Sequence, residues 1–452
     1  MKKTVLHVAI SGLLGFIALA CTQQAQPRVD SMSHVKSEQS ALASQKSHQR
    51  SLEDAKSIAL EFLRNQQGKG RSLSAVTFST SVWLRNSIPS LRSIDNEKRE
   101  LVDTILYVLN LSATKSCLLI SGDDRLPSVI GYLPNDTLNL NKIPKESGIS
   151  LFMSSFPGYY GNYDPDRAPG NGRRPGPQPD SRADYEPEFD QPWSRCIGER
   201  KKMEVSPICP VQWGQWFPYN AKAPVFGNEN ALAGCVAVAA AQLMASYHPS
   251  VSLPSGVRLD WTMLTKHPQW MPMYLSEPDH IRSSYVEQVS SLLRVIGDRL
   301  KNRWGVGDHG TGALSEDIPK VLYSLDQSVI CGKPMSYNDQ KIRQYLDRGF
   351  PVIMSGGRAH GAGHAWLCDG YLSLIVEYEY GLYRRKHRFD VPDKVVSGTY
   401  TDHQFLFHYN WGWNGQKDGF FAAGVFDADP SLKDGRLNFS QRVKYIPVEK
   451  LF

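Results

Sequence analysis

Four stretches of the chain carry groups that together could perform nucleophilic acyl transfer. Cys235 follows Gly234 and opens an apolar run, 236–244, in which Gln242 is the one polar side chain. His364 stands in Gly361-Ala362-Gly363-His364-Ala365-Trp366, and Asn410 and Trp411 in Tyr409-Asn410-Trp411-Gly412-Trp413-Asn414-Gly415. Gln215 lies upstream, in Trp213-Gly214-Gln215-Trp216. Cysteine catalysis needs a base for the thiol proton, a group that orients the base, and donors for the oxyanion. His364 offers the base. The Asn410 carboxamide could accept from one ring nitrogen while Trp411 shields that bond from water. The Gln215 amide could join the Cys235 backbone N–H in an oxyanion hole. Each stretch alone also has an ordinary reading: a core cysteine, a structural histidine, a glycine turn among aromatics, a surface glutamine. Their joint occurrence in the order Gln, Cys, His, Asn-Trp is what points to chemistry.

The elements that must hold these groups follow from pattern. Alanine, leucine and methionine favour helix, and a segment apolar all round predicts a buried helix with Cys235 at its N-terminus. The helix dipole favours a thiolate there by about 0.3–1 kcal/mol, up to about 2 kcal/mol when partly buried. A reactive thiolate needs more, normally a histidinium beside it. Further helices are expected over 281–300, 318–325 and 341–346, and strands over 351–354, 366–375 and 404–409. Helices first and strands later give an α+β catalytic domain at 193–452 rather than alternating βαβ units. Upstream, Leu52, Ala55, Ala59, Phe62 and Leu63 recur at helical spacing. With strand-like runs at 101–111, 117–121 and 129–133 they predict a small α+β domain over 51–150. Residues 151–192 turn rich in Gly, Pro, Asp, Arg and Tyr and read as an exposed, cleavable linker.

Composition excludes some classes. The chain has 452 residues, 41% of them apolar, and a mild net charge of +6 with no basic stripe, so nucleic acid is not an expected partner. Seven cysteines, at 21, 117, 196, 209, 235, 331 and 368, form neither a CxxC pair nor a zinc-spaced cluster, and no metal or organic cofactor is expected. Cys196 and Cys209 are close enough in sequence to pair in an oxidising compartment. Residues 1–20 read as an export signal: Met1-Lys2-Lys3, an apolar run, then Ala18-Leu19-Ala20 before Cys21. Cys21 is accordingly a candidate lipidation site, with plain secretion as the alternative, and 21–50 reads as a polar tether.

The catalytic half resembles the streptopain-like bacterial cysteine peptidases, which have a papain-like fold. The matching residues are Trp213-Gly214-Gln215, Pro218-Tyr219-Asn220, Gly234-Cys235-Val236-Ala237, Ala241-Gln242-Leu243-Met244, Gly363-His364-Ala365-Trp366 with Asp369-Gly370-Tyr371, and Asn410-Trp411-Gly412-Trp413. The likeness spans about 205–425. Tyr107-Val108-Leu109-Asn110, 119–125 and Ile130-Gly131-Tyr132 are similar to that family's inhibitory propeptide. The resemblance implies a helical half and an antiparallel sheet half, Cys235 as nucleophile, His364 as base, Gln215 in the oxyanion hole, and Asn410 and Trp411 orienting and shielding the imidazole. It also implies a zymogen whose prodomain is an intramolecular inhibitor, protein or peptide substrates, and a bacterial protein secreted or anchored at the outer membrane or cell surface. Two other functions fit the residues alone: a peptidoglycan endopeptidase of related fold, and a surface binding lipoprotein with a merely buried Cys235.

Overall fold

A computed structural model describes residues 48–67, 77–88, 102–144, 147–162, 191–307, 310–357, 363–384, 393–426 and 443–450. The expected signal, Cys21 and most of the tether and linker lie outside the described residues.

The upstream domain begins with helix α1 (Leu52–Gln67), followed by strands β1 (Phe78–Leu84), β2 (Thr104–Leu111), β3 (Ser116–Ser121) and β4 (Val129–Leu133). The four strands form an antiparallel meander in chain order. Helix α1 buries Ala55, Ala59, Phe62 and Leu63, the apolar stripe read from sequence.

Helix α2 (Gly148–Asn162) corrects the expected linker. The linker was placed from 151, yet 151–162 is helical and docked. Phe152, Phe156 and Tyr160, four residues apart, are all fully buried. Pro157 sits inside this helix. An interior proline costs roughly 3 kcal/mol, and three buried aromatic rings, each worth about 1.5–3 kcal/mol, outweigh that.

Strand β5 (Gln191–Val205) leads into the downstream domain. Its main helices are α3 (Cys235–Tyr247), α4 (Asp279–Arg299), α5 (Ile318–Leu325) and α6 (Asp339–Asp347), with the short strand β6 (Met335–Ser336) before α6. The main strands follow as β7 (Val352–Gly356), β8 (His364–Arg384), β9 (Asp393–Asn410), β10 (Gly419–Ala422) and β11 (Lys444–Ile446). Helix and antiparallel sheet are thus segregated, the α+β class expected. Strands β8 and β9 are far longer than their expected cores at 366–375 and 404–409. They run on as a hairpin, with β5 paired along the outer half of β8.

One eleven-stranded sheet joins the two halves, in the order β1-β2-β3-β4-β10-β9-β8-β7-β11-β6 with β5 on β8. The junction is a short antiparallel pairing of β4 with β10, Tyr132 opposite Phe420 and Gly131 opposite Phe421.

Alternation along β7 and β8 divides the interior into two cores. Ile353, Ala365 and Leu367 face the core built on α3 and α4. Val352, Met354, Trp366 and Cys368 face the other, which contains the α2 aromatics. The catalytic sheet is therefore covered on one face by its own helices and on the other partly by the upstream domain. Phe152 packs 4.7 Å from Phe421 and 6.0 Å from Phe426, centroid to centroid. Phe152→Ala should destabilise the intact chain by about 3–5 kcal/mol, read as a lower urea midpoint. A change under about 1 kcal/mol would mean that α2 is not part of the core.

Candidate active site

Helix α3 starts where the sequence predicts. Its N-cap is Gly234 at φ +88°, a backbone that strains any residue with a side chain, and a Cβ there would also meet Thr311 Cγ2 at 3.0 Å. Cys235 is thus the first helical residue, half-buried, among the N–H groups that favour a thiolate. Burial raises the thiols of Cys117, Cys196 and Cys331 to about 12, and also raises those of Cys209 and Cys368. Cys196 and Cys209 are separate thiols rather than a disulfide. Cys196 packs against Ser128 and Glu199, Cys209 against the carbonyls of Val211 and Gln242.

Gln242, the lone polar residue of the helix, has a task the sequence did not reveal. It is fully buried, and its Oε1 accepts from the backbone N–H of Trp213 at 2.8 Å. Two residues on, the Gln215 carbonyl accepts from Ala233 N at 2.9 Å. These bonds fix the Gln215 segment alongside the start of α3, so Gln215, itself buried, shares a wall with Cys235.

His364 begins β8 and is buried, with Nε2 2.8 Å from the carbonyl oxygen of Trp411. A carbonyl can only accept, so Nε2 carries a proton and the neutral ring keeps its lone pair on Nδ1. The expected orienting residue, Asn410, binds elsewhere. Its Nδ2 donates to Val211 O at 2.7 Å and its Oδ1 accepts from Gly412 N at 3.3 Å. Orientation of the imidazole thus comes from the backbone of the next residue, which no side-chain pattern encodes. Trp411 does flank the ring, at 6.4 Å between centroids, and Trp366 lies on it nearly parallel at 6.1 Å.

A buried polar group secures Trp411. Asp418 Oδ1 accepts from Trp411 N at 2.9 Å, and the indole N–H donates to Lys417 O at 2.8 Å. Asp418 Oδ2 is buried without a hydrogen-bond partner. Burial raises the Asp418 carboxyl to about 7, against the pull of Trp411 N–H and of His408. His408 Nδ1 lies 2.6 Å from Asp369 Oδ1. Burial disfavours its charge, but Asp369 holds its pKa above the usual histidine value. Asp369 Oδ2 in turn accepts from Cys209 N at 3.0 Å. Asp369, His408 and Asp418 were not singled out from sequence as site residues. Only the Asp369-Gly370 step within a motif hinted at them.

The upstream domain reaches this same corner. Gly148, the first residue of α2, lies on the Trp411 indole, where a methyl group would overlap the ring. Asp136 pairs with Lys417 Nζ at 2.9 Å and accepts from Lys417 N at 3.0 Å. Leu151 approaches Gly356, the residue opposite His364 in the β7–β8 ladder.

A thiol at a helix N-terminus, an imidazole whose tautomer a backbone carbonyl fixes, and a buried glutamine tied to the segment before that helix are the kinds of group that thiol-dependent acyl transfer uses. Residues 213–421 match the model of the Peptidase C10 family, and they contain every candidate site residue of the catalytic half. The part of the chain that holds these residues, just under half of it, is thus similar to the Peptidase C10 family. It is 25% identical over 377 residues to the thiol protease/hemagglutinin PrtT of Porphyromonas gingivalis, covering 76% of this chain but only 37% of that protein. It is 23% identical over 404 residues to streptopain of Streptococcus pyogenes, covering 80% and 85%. Among solved structures, a Prevotella intermedia prointerpain A fragment matches with 19% identity and a TM-score of 0.49, over 78% of this chain and 98% of that one. Active interpain A matches with 21% identity and a TM-score of 0.36, over 54% and 95%.

The raised Asp418 carboxyl sets a pH dependence. A carboxyl whose folded pKa lies above its unfolded value favours the fold when protonated, and that stability is lost as pH rises from the usual carboxylate range through about 7. Asp418→Asn keeps an acceptor for Trp411 N and removes this titration. Its thermal midpoint should fall less than the parent's across that window; the part contributed by His408 remains, since its raised pKa works in the same direction. Parallel pH curves for the two proteins would contradict this.

Proposed function

We propose that this chain is the precursor of an exported bacterial cysteine endopeptidase, held latent by residues 51–162. The observation that carries the reading is a His364 whose Nε2–H is committed to Trp411 O, in the same family-matching stretch as Cys235 at the α3 N-terminus. In the reaction, Nδ1 of His364 takes the Cys235 thiol proton, and the thiolate attacks a peptide carbonyl. The oxyanion develops against the Cys235 backbone N–H and the Gln215 side chain. The imidazolium then protonates the leaving amine, and water activated by the same ring hydrolyses the thioester. Trp411 orients and shields the ring, and Asn410 braces the loop that carries Trp411.

Latency is supported by three contacts meeting at one place: Gly148 on the Trp411 indole, Asp136 on Lys417, and Leu151 against Gly356. Cleavage falls within 163–190, after the docked helix α2 and before β5. Export, with lipid attachment at Cys21, rests on the N-terminal sequence alone. The β-meander and α2 packed on the catalytic sheet favour a zymogen over a wall hydrolase or a binding lipoprotein.

Cys235→Ala should abolish both casein hydrolysis and self-processing, and should remove labelling by an epoxysuccinyl thiol inhibitor. Persistent hydrolysis in that variant rules out the assigned nucleophile. Gly148→Ala pushes a methyl group into Trp411 and should loosen the upstream domain, so the precursor should process itself several-fold faster at equal concentration. An unchanged time course on denaturing gels would argue against this contact as a latency element.

A further inference from the structure

The residue after Gln215 is a tryptophan and the next a phenylalanine, and both are exposed with the upstream domain in place: Trp216 at 43% and Phe217 at 61%. Two large aromatic side chains left open beside a catalytic wall are unusual, because such groups normally gain by burial. They are not loosely attached. Trp216 O accepts from Tyr219 N at 2.8 Å, which closes a tight turn directly after Gln215. The Trp216 ring meets Trp413 edge-on at 5.0 Å between centroids. Phe217 meets Trp270 edge-on at 5.7 Å, and Trp270 continues to Tyr274 at 5.7 Å, itself 46% exposed. The Gln269 amide, bonded to Gln212 Oε1 at 2.7 Å, ties the short helix Trp270–Ser276 to the same segment. The result is a rigid aromatic shelf of Trp216, Phe217, Trp270, Tyr274 and Trp413.

Its position fixes which part of a substrate it meets. One end is Gln215, on the oxyanion side. The other is Trp413, two residues past the Trp411 carbonyl that holds His364. During acyl transfer the imidazole protonates the departing amine, so the polypeptide beyond the scissile bond must leave past the imidazole. The shelf borders that exit and is continuous with both catalytic elements. Pro144 and the start of α2 line a small cavity together with Trp413, while Trp216 and Phe217 stay exposed.

We propose that this shelf is a subsite for the leaving-group half of the substrate, and that it selects an apolar or aromatic side chain at the first or second residue after the cleaved bond. The inference rests on the peptidase reading above. Specificity arises because an aromatic or leucyl side chain loses water-exposed surface against Trp216 and Phe217, whereas a carboxylate there is desolvated with no partner.

The test uses the self-processed enzyme, with active thiols titrated by an epoxysuccinyl inhibitor so that rates refer to competent molecules. Internally quenched peptides share one sequence up to the scissile bond and carry Phe, Leu, Gly or Asp at the two positions beyond it. The parent enzyme should favour Phe or Leu over Asp by about tenfold in kcat/KM, within the range hydrophobic pockets deliver. Trp216→Ala and Phe217→Ala should each shrink that ratio to within about twofold. A flat parent profile overturns the proposal without recourse to any variant, and so does a full parent-like ratio in both variants. A parent that neither labels nor cleaves any peptide overturns the peptidase reading instead, and the subsite with it.

Discussion

The site depends on one residue being held from four directions. The backbone N–H of Trp411 is bound by Asp418, its carbonyl by His364, its indole N–H by the Lys417 carbonyl, and its ring lies under Gly148. The indole is packed in a dry aromatic cluster, 5.0 Å from Tyr409, 5.3 Å from Trp366 and 5.5 Å from Phe421. In such surroundings hydrogen bonds are stronger and lost partners costlier than in water. The Trp411 carbonyl can therefore fix the tautomer of His364 firmly. Any shift of the indole is felt at the imidazole through a single peptide unit.

The same packing joins the upstream domain to this corner. Phe152 of α2 enters this cluster through Phe421 and Phe426. Asp136 grips Lys417, the neighbour of Asp418. The upstream domain thus contacts the loop whose Trp411 carbonyl binds His364.

Much of this was legible in the chain and some was not, for identifiable reasons. Helix α3 was readable because its apolar run and Gly234 signal the same start. The strands β3 and β4 were readable because buried apolar runs are bounded by turn residues. Helix α2 was misjudged because Pro157 and nearby glycines resemble a linker, while its Phe152, Phe156 and Tyr160 repeat needs a partner surface to explain it. The extension of β8 and β9 was missed because their outer halves mix charge with tyrosine and depend on β5 for pairing. Among the candidate site residues, the side chains are legible by type and order. The orienting group was not, because it is a backbone carbonyl, and the Asn410 amide that seemed suited to the task is engaged with Val211 and Gly412. Gln242 stands out as the exception in an apolar helix and within a matching motif; its value lies in a bond to a backbone N–H twenty-nine positions away in the chain.

The union of the two halves through β4 and β10 has a further consequence. Without β4, Phe420 and Phe421 would lack their main-chain partners on that side, and the sheet would have a raw margin there. A bare margin invites self-association. Here it is only four residues long, Gly419–Ala422, too short to template an extended foreign strand. Brevity keeps the seam between the two halves from being an adhesive edge.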